Sequence, residues 1–143
     1  MKIRLEKGYI LIISATLVRL FGQITTGTPD AKGAAFFPFL FVCDESYLQP
    51  WLITHERIHF RQQLETLFIG GFVITFLERL YARFVLKQNK KERYLYAAFE
   101  QEAYLHMYDS LYLEKRPFGR VFHYIKHKRN FKVIAPGEIE FLD

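Results

Sequence analysis

The sequence predicts a mainly helical α+β fold, one domain over residues 1–143, with a short edge strand ahead of a central helix. Three observations carry this. Residues 51–67 place Leu52, Ile53, Phe60, Leu64 and Leu67 on one arc of a helix, with Pro50 in the first turn, where a missing N–H costs nothing. Residues 34–43 read Ala-Ala-Phe-Phe-Pro-Phe-Leu-Phe-Val-Cys, a strand that Pro38 confines to an edge or an irregular point. Asn89-Lys90-Lys91-Glu92 sets a capping side chain three residues before a carboxylate, the start of another helix.

The elements follow in order. Lys2, Arg4 and Lys7 precede an apolar run, but Arg19 follows and no small-residue cleavage site does, so the run reads as mature structure. Residues 9–21 are long enough to favour a helix over a strand. Residues 22–33 are dense in turn formers and read as a loop. The apolar stretch 66–77 is too short to span a bilayer and is expected to be buried, with a segment dipping into a bilayer face as the alternative. The helix that begins at Asn89 should run to about Tyr112 and end before Arg116-Pro117. A short basic helix over 118–129 and a loose tail from Ala135 complete the chain.

Composition narrows the class. The 143 residues suffice for a hydrophobic core, and 50% of them are hydrophobic. The single cysteine, Cys43, forbids an internal disulfide and reads as a small buried hydrophobe. A net charge of +5 suits an anionic membrane surface as well as nucleic acid.

The central helix contains His55-Glu56-Arg57-Ile58-His59, the His-Glu-x-x-His arrangement. Residues four apart on a helix lie about 40° apart around the axis and about 6 Å along it, so two imidazoles can close on one metal ion. Glu56 points elsewhere, yet it can reach a water on that metal and act as its general base. A catalytic zinc site needs a third protein ligand. Glu65 is one candidate, but it falls with Arg57 and Arg61 and reads as half of a solvated Arg61–Glu65 pair. Glu100 and Glu102 on the later helix are the others.

His55-Glu56-x-x-His59 followed by Glu100-x-x-Ala103 resembles the gluzincins, and most of all their small-core groups such as CAAX-processing proteases and the sensor proteases of β-lactam receptors. The chain is also similar to small bacterial proteins with His-Glu-x-x-His-x-x-Gln-Gln and Phe-Glu-x-Glu-Ala-Tyr. The resemblance covers roughly residues 36–116. It implies a minimal zincin-like domain holding one zinc ion on His55, His59 and Glu100, with Glu56 as the base. The sequence departs from that pattern at Tyr104, where those proteases carry an aspartate that orients a ligand histidine. A helical wheel separates the two glutamates independently. Glu100 lies within about 60° of Tyr96, Ala97, Ala103, Tyr104, Met107 and Leu111, an apolar stripe, whereas Glu102 falls near 200° beside His106 and Asp109.

The expected function is therefore a zinc metallopeptidase acting on a peptide or protein, with the edge strand receiving substrate by strand addition. A membrane surface is a second candidate partner, and nucleic acid is disfavoured. The expected location is cytoplasmic or peripherally membrane-associated, and the sequence sets no oligomeric state. Two alternatives stand beside it: an inactive zinc-binding protein of the same fold, favoured by Tyr104, and a membrane- or nucleic-acid-binding module built on the basic segment 120–132. His123 and His127 are also four apart, but their basic neighbours make a solvated face the better reading than a second metal. Tyr104, Tyr108 and His123 are candidate donors to an oxyanion.

Overall fold

A computed structural model describes residues 1–25, 30–135 and 138–142. Of the loop expected at 22–33, residues 22–25 are instead the end of a helix and Gly33 opens a strand, while residues 26–29 lie outside the described residues. The chain runs β1 (Lys2–Glu6), β2 (Tyr9–Ile13), α1 (Ala15–Thr25), β3 (Gly33–Phe36), β4 (Phe39–Val42), a 3-10 turn (Glu45–Tyr47), α2 (Pro50–Glu65), α3 (Ile69–Phe84), α4 (Lys90–Tyr96), α5 (Ala98–His106), α6 (Tyr112–Lys115), α7 (Arg120–Lys126), β5 (Phe131–Ala135) and β6 (Glu138–Phe141). The expected mainly helical α+β class is what the chain adopts.

The first sheet has the order β1-β2-β4-β3. β1 and β2 form an antiparallel hairpin, closed by a turn in which Gly8 sits at φ +91. β2 and β4 run parallel, joined across α1. The expected helix over 9–21 is thus a strand followed by a helix. Tyr-Ile-Leu-Ile-Ile is β-branched, and β2 is covered on both faces, so it shows a continuous apolar run rather than alternation. Leu11, Ile13, Leu40 and Val42 pack on Leu52 and Phe60 of α2. Ile12 and Phe41, on the other face, pack on Val18 of α1.

The expected single strand over 34–43 is a hairpin instead. Phe37-Pro38 forms its turn, where a residue without an N–H is removed from the ladder. β3 is the edge strand on the side of the sheet next to β4, and it lies against α2, although β4 and the 3-10 turn separate the two in sequence. The Gln63 side chain clamps this edge to α2: Phe37 N–H donates to its Oε1 at 2.9 Å and its Nε2 donates to Ala35 O at 2.8 Å.

α2 lies between the sheet and the later helices. Its sheet side carries Leu52 and Phe60, and its other side puts Ile58 against Ala103 of α5 and Tyr112 of α6. A corner at Leu67 and Phe68, both at positive φ, reverses the chain into α3. The capping box at Asn89 forms as expected: Asn89 N–H donates to Glu92 Oε2 at 2.7 Å, and Glu92 N–H to Asn89 Oδ1 at 3.0 Å. The helix it starts breaks at Ala97, which is extended at ψ 133. Glu78 of α3 explains the break, because its carboxylate accepts the Ala98 N–H at 3.0 Å and caps α5 afresh, while pairing with Lys128. The tail expected after Ala135 is the second strand of an antiparallel hairpin, β5–β6.

The stretch 66–77, expected to be buried, is largely exposed. Within α3 only Gly71 and Ala82 are buried. A side-chain carbon on Gly71 would stand 2.7 Å from Phe99 Cζ and from Thr66 Oγ1, so this glycine lets α3 approach the start of α5. No helix among the described residues is long and apolar enough to cross a membrane.

Candidate metal centre

His55 and His59 project from successive turns of α2 toward α5, where Glu100 projects from the first turn to meet them. The two Nε2 atoms are 3.1 Å apart. Glu100 Oε2 is 3.3 Å from His55 Nε2, and Glu100 Oε1 is 3.5 Å from His59 Nε2. One ligand atom from each of the three residues lies within 4.8 Å of the others, and all three residues are buried. This group could hold a metal ion. Among the described residues it is the only such set of three or more His, Cys, Asp or Glu side chains.

The donor set fits a cation. Two imidazole nitrogens and one carboxylate match zinc's preference for N and O ligands. Glu100 Oε2 is buried without a hydrogen bond, an arrangement that costs free energy unless something positive sits against it. Its place in the first turn of α5 gives a smaller compensation from the helix dipole.

The second interaction of His59 fixes its tautomer. Gln62 Nε2 donates to Phe99 O at 3.1 Å and to Glu102 Oε2 at 2.9 Å. Its Oε1, 2.7 Å from His59 Nδ1, is therefore the acceptor, and the ring proton sits on Nδ1. When the ring is neutral, as a metal ligand must be, the Nε2 lone pair faces Glu100 and His55. His55 is braced differently, by the Tyr104 ring edge-on at 4.9 Å between centroids. A flat aromatic ring, not a carboxylate, thus stands against His55 on this side.

Electrostatics of the ion-free site follow from burial and these contacts. Burial alone would discharge His59, but the charge of Glu100 outweighs it and raises the imidazole to about 9. Burial acts against the Glu100 carboxylate as well, yet the two histidines hold it well below the usual range. Burial raises Glu56, partly opposed by His55 and His59. A raised carboxyl suits a group that takes up a proton.

A cleft of about 520 Å³ opens onto the centre. Gly33 to Ala35 of the edge strand form one wall, Phe68, Phe72 and Phe76 another, and Tyr94 and Phe99 a third. Gly33 lies directly over the Glu56 carboxylate: a side-chain carbon there would stand 2.7 Å from Glu56 Oε1. The absence of that carbon makes room for the carboxylate beside the strand.

Several expected residues stand elsewhere. Glu102 is fully buried, not solvated. Its carboxylate accepts from Tyr112 Oη at 2.8 Å and from Arg116, and Arg116 also pairs with Glu65. Glu65 is thus no partner of a solvated Arg61 but one end of a buried Glu65–Arg116–Glu102 chain, away from the metal group. The wheel missed this because α5 is covered on two sides, by α2 and by α6 and α7. Tyr108 stacks on Trp51, and neither it, Tyr104 nor His123 lines the cleft. Tyr94 does, from α4. Burial and the nearby Glu100 charge push its hydroxyl well above the ordinary tyrosine range, so it keeps its proton. Cys43 is half-buried, with its thiol donating to Ala31 O at 3.2 Å. The basic segment 120–132 is partly spent on the fold, since Lys128 pairs with Glu78 and Arg120 lies over Tyr124.

Gln62 and Tyr94, beside the metal group, and Arg116, in the buried charge chain, are the side chains whose placement sequence reasoning passed over. Gln62 had a signal, the Gln-Gln pair three and four residues after His59. No protein-family model, curated protein or solved structure matches the chain.

Proposed function

We propose that this protein is a zinc-dependent metallopeptidase of gluzincin type. One observation carries the reading: His55, His59 and Glu100 converge within 4.8 Å at the floor of a cleft that also holds Glu56 and an edge strand. Zinc bound there would supply a Lewis acid that lowers the pKa of a water and polarises a carbonyl. The chain's own residues do the rest. Glu56 takes the proton of the attacking water and returns it to the leaving amine, a role its raised pKa suits. Tyr94, protonated and on the cleft wall, donates to the carbonyl oxygen as charge builds there. An extended substrate would add to β3 at the Gly33 end, because Gln63 already occupies Ala35 O and Phe37 N–H.

The test combines elemental analysis of the purified protein with a broad peptide-library cleavage assay. Glu56→Gln should retain one zinc and lose cleavage, since it removes the base and no ligand. Loss of metal in that variant would give Glu56 a different role. A second reading, zinc binding without turnover, is favoured by Tyr104 standing against His55 in place of a carboxylate. It predicts full zinc occupancy, no cleavage by the wild type, and no difference between wild type and Glu56→Gln.

A further inference from the structure

We propose that the outer face of α3 docks on an anionic lipid surface. With Ile69 at 0° and about 100° per residue, the two buried positions, Gly71 and Ala82, fall near 200° and 220°. The opposite arc, from about 300° through 0° to about 80°, holds Ile69, Phe72, Val73, Phe76, Leu77 and Leu80. All six are exposed, Ile69 at 76%, Phe76 at 62% and Leu77 at 56%. A continuous apolar face on this scale marks an interaction surface.

Charge selects the occupant. Glu78, the only acidic residue of α3, falls near 180° on the wheel. It is turned inward, bonded to Ala98 N–H and Lys128. Arg79 falls near 280°, just outside the apolar arc, and Arg83 falls near 320°, within it but in the last turn of the helix, beyond the apolar residues 69–80. Together with Lys90 and Arg93 of α4 the two arginines line a shallow cleft of about 260 Å³, shared with Phe76, Leu80 and Tyr94. No carboxylate lines it. Four cations around one hollow beside an apolar ridge match a phosphate headgroup above acyl chains. A second copy of the chain would instead bring a second set of the same cations to the interface. The chain's net charge of +5 adds the same preference. The helix has 16 residues, so its length of about 24 Å suits lying in the interface plane rather than crossing it.

Docked this way, Phe72 and Phe76 would sit at the bilayer while also lining the metal-site cleft, so the mouth of the cleft would open at the membrane surface.

Co-sedimentation with vesicles tests the proposal without any activity measurement. The full chain should pellet with phosphatidylcholine vesicles containing about one third phosphatidylglycerol, and at least about tenfold less with phosphatidylcholine alone. Raising salt from about 0.1 M to about 0.5 M should weaken, not abolish, the binding, because the apolar part remains. Val73→Glu/Leu77→Glu should lose binding about tenfold or more with an unchanged thermal melt. These positions are exposed and lie outside the cleft lining. Val73→Ser/Leu77→Ser gives the same reading if the glutamates impair folding. Arg83→Glu/Lys90→Glu should remove the preference for the anionic lipid. Two results would overturn the proposal: vesicle binding that the apolar variants leave intact, or a wild type that stays in the supernatant. A wild type that ignores vesicles yet sediments as a dimer, with Val73→Glu/Leu77→Glu restoring the monomer, would assign the face to a second copy.

Discussion

His59 is held at both ring nitrogens, by Gln62 on one side and by His55 and Glu100 on the other. Removing it leaves two ligand side chains, too few to retain zinc against dilution. His59→Ala should therefore contain no stoichiometric zinc by elemental analysis, and wild-type zinc in that variant would end the metallopeptidase reading. Glu102 predicts the opposite pattern. Its side chain is 0% exposed, and it accepts from Arg116, Tyr112 and Gln62. Glu102→Ala leaves Arg116 buried with Glu65 alone and takes an acceptor from two more buried donors. Breaking a buried pair from one side costs about 3–5 kcal/mol, and chemical denaturation should show a loss of that order. An unchanged denaturation midpoint would mean the chain of charges contributes nothing to stability. The two glutamates also mark what the sequence could tell. Glu100 was legible because an apolar stripe points it inward. The burial of Glu102 was not, because its partner Arg116 lies beyond a separate short helix whose position no local pattern reveals.

At the level of elements, legibility followed how many faces each one buries. α2 was readable from Pro50, its spacing and its histidines. β2 was not, since a strand covered by α1 and α2 loses its alternation and resembles a helix. The edge strand was foreseen before the central helix, but its hairpin with β4 was not, because Pro38 signals a break without saying that the chain reverses. α3 was misjudged in the other direction: its apolar residues face outward, and hydrophobicity alone cannot say whether protein or lipid covers them. The close fit of β3 over α2 gives a prediction of its own. Gly33→Ala brings a methyl group to 2.7 Å from Glu56 Oε1, so the carboxylate must move while His55, His59 and Glu100 stay in place. The variant should keep its zinc and lose cleavage by roughly one hundredfold, the usual cost of a misplacement near 1 Å. Cleavage at the wild-type rate would show that the base tolerates the shift.

Across the whole molecule, the three candidate ligands join two structural halves. α2 belongs to the sheet through Leu52 and Phe60, whereas α5 belongs to the later helices through Ala98 packed with Val121 and Tyr124 of α7. An ion on His55, His59 and Glu100 would fasten one half to the other, in addition to the Ile58–Ala103 contact and the Gln62–Glu102 hydrogen bond already there. Ligand binding to the folded state alone stabilises it by about 4 kcal/mol when free zinc is a thousandfold above its dissociation constant. For a chain of this size that is roughly a 10 °C rise in Tm. Part of the ion-free site already has a substitute, because the Glu100 charge attracts the His59 imidazolium, so the folded protein should survive stripping of the metal. Calorimetry should then show a cooperative transition for the chelator-treated protein, shifted down by several degrees and restored by added zinc. His59→Ala should respond to neither treatment. If elemental analysis confirms removal of the ion and the wild-type Tm does not move, zinc does not bind across these two helices, and the centre proposed on His55, His59 and Glu100 is wrong.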